Sequence, residues 1–221
     1  MRREDSQVTE SRTELKLPAL PFALVPAGGK DCTFAVDEDG TLTLTGQART
    51  DIFIDPAGDG DGEGERPDAG FLLGVPPKGD FTLSARVTVP FASMFDAGVL
   101  LIHAGPDRFA KLCFEYSPQQ RPSAVSVVTR GVSDDSNSFP VDGDTLWLRV
   151  TRTGRAWALH ASVDGKWWDM LRYFSLQEAA EVRDEVRVGF LAQSPAGDGI
   201  QVTFAQIEYS QGAPKDLRNG S

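Results

Sequence analysis

Cysteine and histidine are scarce in this chain. Each occurs twice, at Cys32 and Cys113 and at His103 and His160. Two cysteines make no disulfide framework in a chain of 221 residues, so two free thiols are expected. Two histidines exclude a metal site built mainly from imidazole, and no metal or cofactor is expected. No stretch approaches about 20 consecutive apolar residues, so no membrane span is expected. The apolar stretch nearest the start, Leu17 to Val25, is broken by Pro18 and Pro21 and makes a poor secretion signal. These absences together point to a cytoplasmic protein. Basic charge is also short: 22 Lys and Arg against 32 Asp and Glu leave a formal charge of -10. An acidic surface repels phosphate, so neither nucleic acid nor an anionic membrane is an expected partner. A Gly-x-Ser-x-Gly elbow, a glycine-rich nucleotide loop and a phosphate loop are all missing, which argues against triad hydrolysis and nucleotide binding.

What the chain has is alternation. After the turn signal Asp39-Gly40, Thr41-Leu42-Thr43-Leu44-Thr45 alternates cleanly. Phe81 to Val89 holds period two over nine residues, with Phe81, Leu83, Ala85, Val87 and Val89 on one side. Gly98 to His103 is nearly all apolar, as a central strand covered on both faces should be. Phe109 to Tyr116, Ala124 to Arg130, Leu146 to Val150, Arg155 to Val163, Val186 to Phe190 and Ile200 to Glu208 follow, separated by Pro, Gly, Asp and Ser clusters. The pattern predicts an all-β fold, a sandwich of two antiparallel sheets. Helix is expected only at Ser175 to Val182, where Ser175 and Glu178 form a capping box. Residues 1–16 and 211–221 are polar and read as loose tails, and 17–210 as a single domain with an edge strand near Pro18 to Phe22. The glycine- and acid-rich stretch from Asp55 to Gly70 reads as a surface loop, because the EF-hand ligand order is absent.

Polar residues inside strands are the candidates for function. In Phe109 to Tyr116, Ala110, Leu112, Phe114 and Tyr116 share the core face. Lys111, Cys113 and Glu115 therefore share the other. By the same phase argument Arg86, His103, Trp147 and Arg149 point outward. If their strands belong to one curved sheet, these side chains line a groove with an indole for the C–H faces of a sugar and donors and acceptors for its hydroxyls. Charged residues on an outer face are also ordinary solvation, and an exposed Lys111–Glu115 pair contributes little. The segment Gly131 to Phe139 reads as a polar loop from which Asp134 leans over the same face and accepts a bond from Lys111 or Arg149.

Several stretches in fixed order then carry a resemblance. They are Thr50-Asp51-Ile52-Phe53, Phe95 to Leu100, Phe109 to Glu115, Val127 to Arg130 with Ser133 to Ser136, Val163 to Trp168 with Arg172, and Gly189 to Pro195 with Gly199. From about Leu20 to Tyr209 the chain resembles a bacterial and fungal family of unknown biochemical function that includes a yeast regulator-of-enolase protein. The resemblance implies a concanavalin A-like jelly roll with a ligand groove on its concave sheet. It adds Asp51 and Arg172, which stand in matched motifs, to the candidate ligand residues. Ile52 and Asp135 stand where the family carries aromatic residues. Three functions are in play. The first is a non-catalytic binding domain for a carbohydrate or small polar ligand. The others are a regulatory protein acting by contact with a protein partner, and a glycoside hydrolase or lyase using Glu115. The paired glutamates on one strand that mark many glucanases are absent.

Overall fold

The computed structural model describes residues 14–58, 66–176 and 186–221. In chain order the strands are β1 (Val25–Gly28), β2 (Thr33–Val36), β3 (Leu42–Gly46), β4 (Ile52–Phe53), β5 (Arg66–Pro67), β6 (Gly70–Gly74), β7 (Phe81–Thr88) and β8 (Ala97–Gly105). They continue as β9 (Arg108–Tyr116), β10 (Pro122–Arg130), β11 (Val132–Pro140), β12 (Thr145–Thr153), β13 (Ala156–Ser162), β14 (Asp169–Phe174), β15 (Arg187–Gln193) and β16 (Ile200–Gln211). One sheet, here the site sheet, has the order β1-β6-β15-β8-β9-β10-β11, and the back sheet has the order β14-β13-β12-β7-β16-β3-β2. The pairings within both are antiparallel. The short β4–β5 pair stands apart. No helix occurs among the described residues.

The alternation of apolar residues puts the main core between the two sheets. Phe81, Leu83, Ala85 and Val87 of β7 and Leu112 and Phe114 of β9 are fully buried there. Phe91 meets the Phe114 ring edge-on at 4.9 Å between centroids. Truncating Phe114 to alanine costs about 3 to 5 kcal/mol at such a site. A second apolar cluster lies on the opposite face of the site sheet: Val99, Leu101, Phe109, Cys113, Val125 and Leu191, together with Ile52. The central strands β8 and β9 are therefore buried on both faces, and a covering segment is needed to explain it.

That cover is the strap from Ala48 to Ile54. Arg49 N donates to Ser194 O at 3.0 Å at one end. At the other, Ile54 N donates to Ser133 Oγ and Ser133 N to Ile54 O, at 3.0 and 2.9 Å. Ser194 follows the last residue of β15, while Ser133 pairs with Thr129 at the opposite end of the sheet's register. The strap thus crosses the site sheet diagonally. Asp96 braces its first anchor: its carboxylate accepts from Ser194 Oγ at 2.6 Å and from the Ala92 and Ser93 amides.

Several local expectations need correction. Gly131 to Phe139 is no loop. It turns at Gly131 (φ 80°) and runs as edge strand β11, held in register by β10 although Ser, Asp and Asn are poor strand formers. Pro18 to Phe22 forms turns, and the edge strand is β1. The segment after β16 does not fray: it lies against the back sheet, where Arg149 Nη2 donates to Gly220 O at 2.9 Å and His160 Nε2 sits 2.6 Å from Leu217 O. Most of the helix expected at Ser175 to Val182, the first thirteen residues of the chain, and the centre of the acidic loop fall outside the described residues.

Candidate functional site

The strap divides the covered face into two hollows. The polar one, a cavity of about 360 Å³, is lined among others by Asp51, Phe53, Phe95, Lys111, Glu115, Asp135 and Gln193. At its base the Lys111 ammonium donates to Asp51 Oδ1 at 2.8 Å and to Gln193 Oε1 at 3.1 Å. Among the described residues these are the two hydrogen-bond acceptors of its three N–H groups. Lys111 is 1% exposed, so this is a desolvated pair and not the solvated surface charge that a bare outer face implies. Asp51 is fixed in turn by the Asp68 carboxylate, which accepts from its amide, and by its own carbonyl, which accepts from Asp68 and Ala69.

Register explains the gathering. Asp135, Val127 and Lys111 lie side by side across β11, β10 and β9, and Gln193, Ala97 and Glu115 across β15, β8 and β9. All these side chains leave the sheet on the strap's side. Burial pushes the Glu115 carboxyl up to about 8 against the pull of Lys111, with Asp51 and Asp135 adding to the rise. Burial also raises Asp135, again opposed by Lys111. Burial disfavours the Lys111 charge, but Asp51, Cys113 and Glu115 together outweigh it and the ammonium is held above its ordinary range. Near neutral pH the hollow therefore offers a neutral Glu115 hydroxyl and a lysine ammonium as donors, with carboxylate and amide oxygens as acceptors. Among the described residues no three His, Cys, Asp or Glu side chains are grouped to hold a metal ion.

Two aromatic rings complete the hollow. Phe53 comes from the strap, with Lys111 Nζ 5.8 Å from its ring centroid. Phe95 is 37% exposed and holds φ at 67°, a left-handed conformation that bulky residues rarely adopt. Its carbonyl accepts from Gln193 Nε2 at 3.4 Å and its amide donates to Tyr116 O at 2.8 Å.

Of the residues nominated from sequence, Lys111, Glu115 and Asp51 meet in this hollow, and His103 lies on the same face in the other one. The rest do not join them. Trp147, Arg149 and Arg86 are on strands of the back sheet and point away from the site. Trp147 Nε1 donates to Gln206 Oε1 at 3.1 Å, and the Arg149 guanidinium stacks 4.2 Å over the Trp168 ring. The phase of each strand was right; the assignment of all six to one sheet was not. Asp134 pairs instead with Arg172 at 2.8 Å, on the core side of β11, where it joins the edge strands of the two sheets. Its neighbour Asp135 faces the hollow, because alternate residues of a strand face opposite sides. Asp135, Gln193, Phe53 and Phe95 were missed. For Gln193 a signal existed: it is a polar residue in phase with Arg187 and Leu191 on a strand whose other residues are apolar.

Residues 30–212 match the family described as "Protein of unknown function (DUF1349)". The chain belongs to this family. The DUF1349 match takes in both sheets from β2 to β16, together with every residue of the polar hollow. The chain is 29% identical over 178 residues to Regulation of enolase protein 1 of Saccharomyces cerevisiae, covering 80% of this chain and 84% of that one. A solved structure of a functionally unknown protein from S. cerevisiae superposes with a TM-score of 0.71 at 24% identity, over 87% of this chain and 97% of that one. The GH43 BlXynB protein of Bacillus licheniformis gives 0.65 at 13% identity, over 81% of this chain but 35% of that one. At such identities the structural likeness shows the fold alone. A DUF1349 chain is thus a jelly-roll sandwich of the kind found within larger glycosidase chains.

Proposed function

We propose that this protein is a non-catalytic binding domain for a carbohydrate or other small polyol, held in the polar hollow beside the strap. The observation that carries this reading is the union of two aromatic side chains, Phe53 and Phe95, with the Lys111, Glu115, Asp135 and Gln193 group in one cavity. Ring faces suit the C–H faces of a sugar, while a lysine N–H, a protonated carboxyl and carboxylate oxygens match vicinal hydroxyls. Phe53 and Phe95 supply the flat surfaces that Ile52 and Asp135 do not. Calorimetric titration with a panel of neutral and acidic sugars tests the proposal. Saturable heat for at least one class supports it. No heat up to millimolar concentration for any sugar, together with one stoichiometric protein recovered by pull-down, would favour regulation by protein contact, which the yeast relative's name raises.

One observation favours a catalytic reading in second place. Glu115 is protonated near neutrality and shares its cavity with the carboxyls of Asp51 and Asp135, as a general acid beside a second carboxylate would. Asp51 is committed to Lys111 and to the Ile52 amide, however, which leaves Asp135 to activate water. Release of reducing sugar from any glycan in the panel, lost in Glu115→Gln, would establish that reading over simple binding.

A further inference from the structure

The second hollow under the strap has the opposite character. It is a cavity of about 490 Å³, within the range of small-molecule sites, with walls of Phe53, Ile54, Phe71, Leu73 and Phe109. Among the described residues no acidic side chain lines it, although the chain as a whole carries a formal charge of -10. Its polar edge consists of His103 and Arg187, which face each other in register on β8 and β15. Arg187 is exposed and makes no ion pair or side-chain hydrogen bond among the described residues. The His103 ring is held by its neighbours, parallel to Phe109 at 6.5 Å and tilted against Phe71 at 5.4 Å.

We propose that this hollow is a second ligand site, for a small monocarboxylate with an apolar body. The carboxylate would lie against the Arg187 guanidinium, which presents a planar fork of donors to it, and accept a further bond from His103. The apolar body would fill the space between Phe53, Phe71 and Phe109. A guanidinium with no ion-pair partner among the described residues, at the mouth of an apolar cavity, is what selects an anion over a neutral compound of the same shape. The site is independent of the polyol reading. Phe53 lines both hollows and stands between them, and the two otherwise share no lining residue. His103 adds a signature. Burial, and then the Arg187 charge, hold its pKa below the ordinary range, so the free site carries a neutral imidazole at pH 7. A carboxylate beside it reverses that bias, and binding takes up protons.

The experiment is a calorimetric titration of the full chain with 2-naphthoate at pH 7, repeated in two buffers of different ionisation enthalpy. Saturable one-to-one binding is expected, with a buffer-dependent heat that shows proton uptake. Affinity should fall at least tenfold for the neutral alcohol 2-naphthalenemethanol and for Arg187→Gln, an exposed position whose replacement leaves the fold intact. Ala27→Phe, which fills the hollow, should abolish binding, and Phe95→Ala, confined to the polar hollow, should leave it unchanged. The proposal is overturned if naphthoate does not saturate by millimolar concentration, or if the alcohol binds as tightly. It is equally overturned if Phe95→Ala removes binding while Ala27→Phe does not, since the ligand would then occupy the other site.

Discussion

Lys111 and Asp51, sixty positions apart in sequence, form a 2.8 Å ion pair that fastens the strap to the centre of the sheet beneath it. Their side chains are 2% and 14% exposed, so the pair is shielded from solvent. This contact, with the Ser194 and Ser133 anchors, sets the depth of both hollows.

Asp51→Ala strands the Lys111 charge in a desolvated position. Urea denaturation should show a loss of about 3 to 5 kcal/mol. The double variant Asp51→Leu with Lys111→Met removes both charges and should recover most of that loss. A double variant no more stable than Asp51→Ala would show that the pair does not carry the strap's attachment.

Glu115 makes stability depend on pH. Its carboxyl titrates near 8 in the folded protein and near the usual 4.5 when unfolded. Between these values the folded state binds more protons, so its stability is full below about pH 4.5 and is lost as pH rises through 8. The slope from this group reaches at most about 1.4 kcal/mol per pH unit, and the raised Asp135 carboxyl acts in the same direction. Glu115→Gln should be more stable than the wild type at pH 8 and show a flatter profile from pH 5 to 8. A Glu115→Gln profile as steep as the wild type's would place the slope elsewhere.

Asp134 and Asp135 separate the edge contact from the site. The Asp134–Arg172 bridge is partly solvated, with side chains 61% and 20% exposed. Asp134→Ala should therefore cost no more than about 1 kcal/mol and leave ligand binding unchanged. Asp135→Asn removes a carboxylate from the polar hollow, and should weaken sugar binding about tenfold with little change in melting temperature. The reverse pattern in a binding titration would return the site to Asp134.

The same two residues show where sequence stops being informative. Period two in Phe109 to Tyr116 was enough to place Lys111 and Glu115 opposite Leu112 and Phe114, because one apolar face must meet a core. It also fixed the outward phase of Trp147 and Arg149. Phase within a strand does not say which of two sheets the strand joins, and that decision depends on pairing between distant segments. Asp134 was nominated over Asp135 because a run of Ser, Asp and Asn reads as a turn, where side chains have no fixed parity. Asp51 came through a matched motif, but its contact with Lys111 depends on the path of a strap with no periodic pattern. Phe53 and Phe95 also stand in matched stretches, but they reach the hollow from that strap and from a left-handed turn, where no alternation gives a side chain's direction.

Phe95→Ala tests the central claim most directly. The side chain is partly exposed, lies at the mouth of the polar hollow and belongs to neither apolar cluster. For whichever sugar saturates the wild-type protein, the dissociation constant of Phe95→Ala is to be measured by calorimetry alongside its melting temperature. The account predicts a loss of about tenfold or more in affinity, consistent with about 1.4 kcal/mol of lost ring contact, at an unchanged melting temperature. An affinity equal to the wild type's in a fully folded Phe95→Ala protein would contradict it, and would place sugar binding outside the hollow that Lys111, Glu115 and Asp135 share.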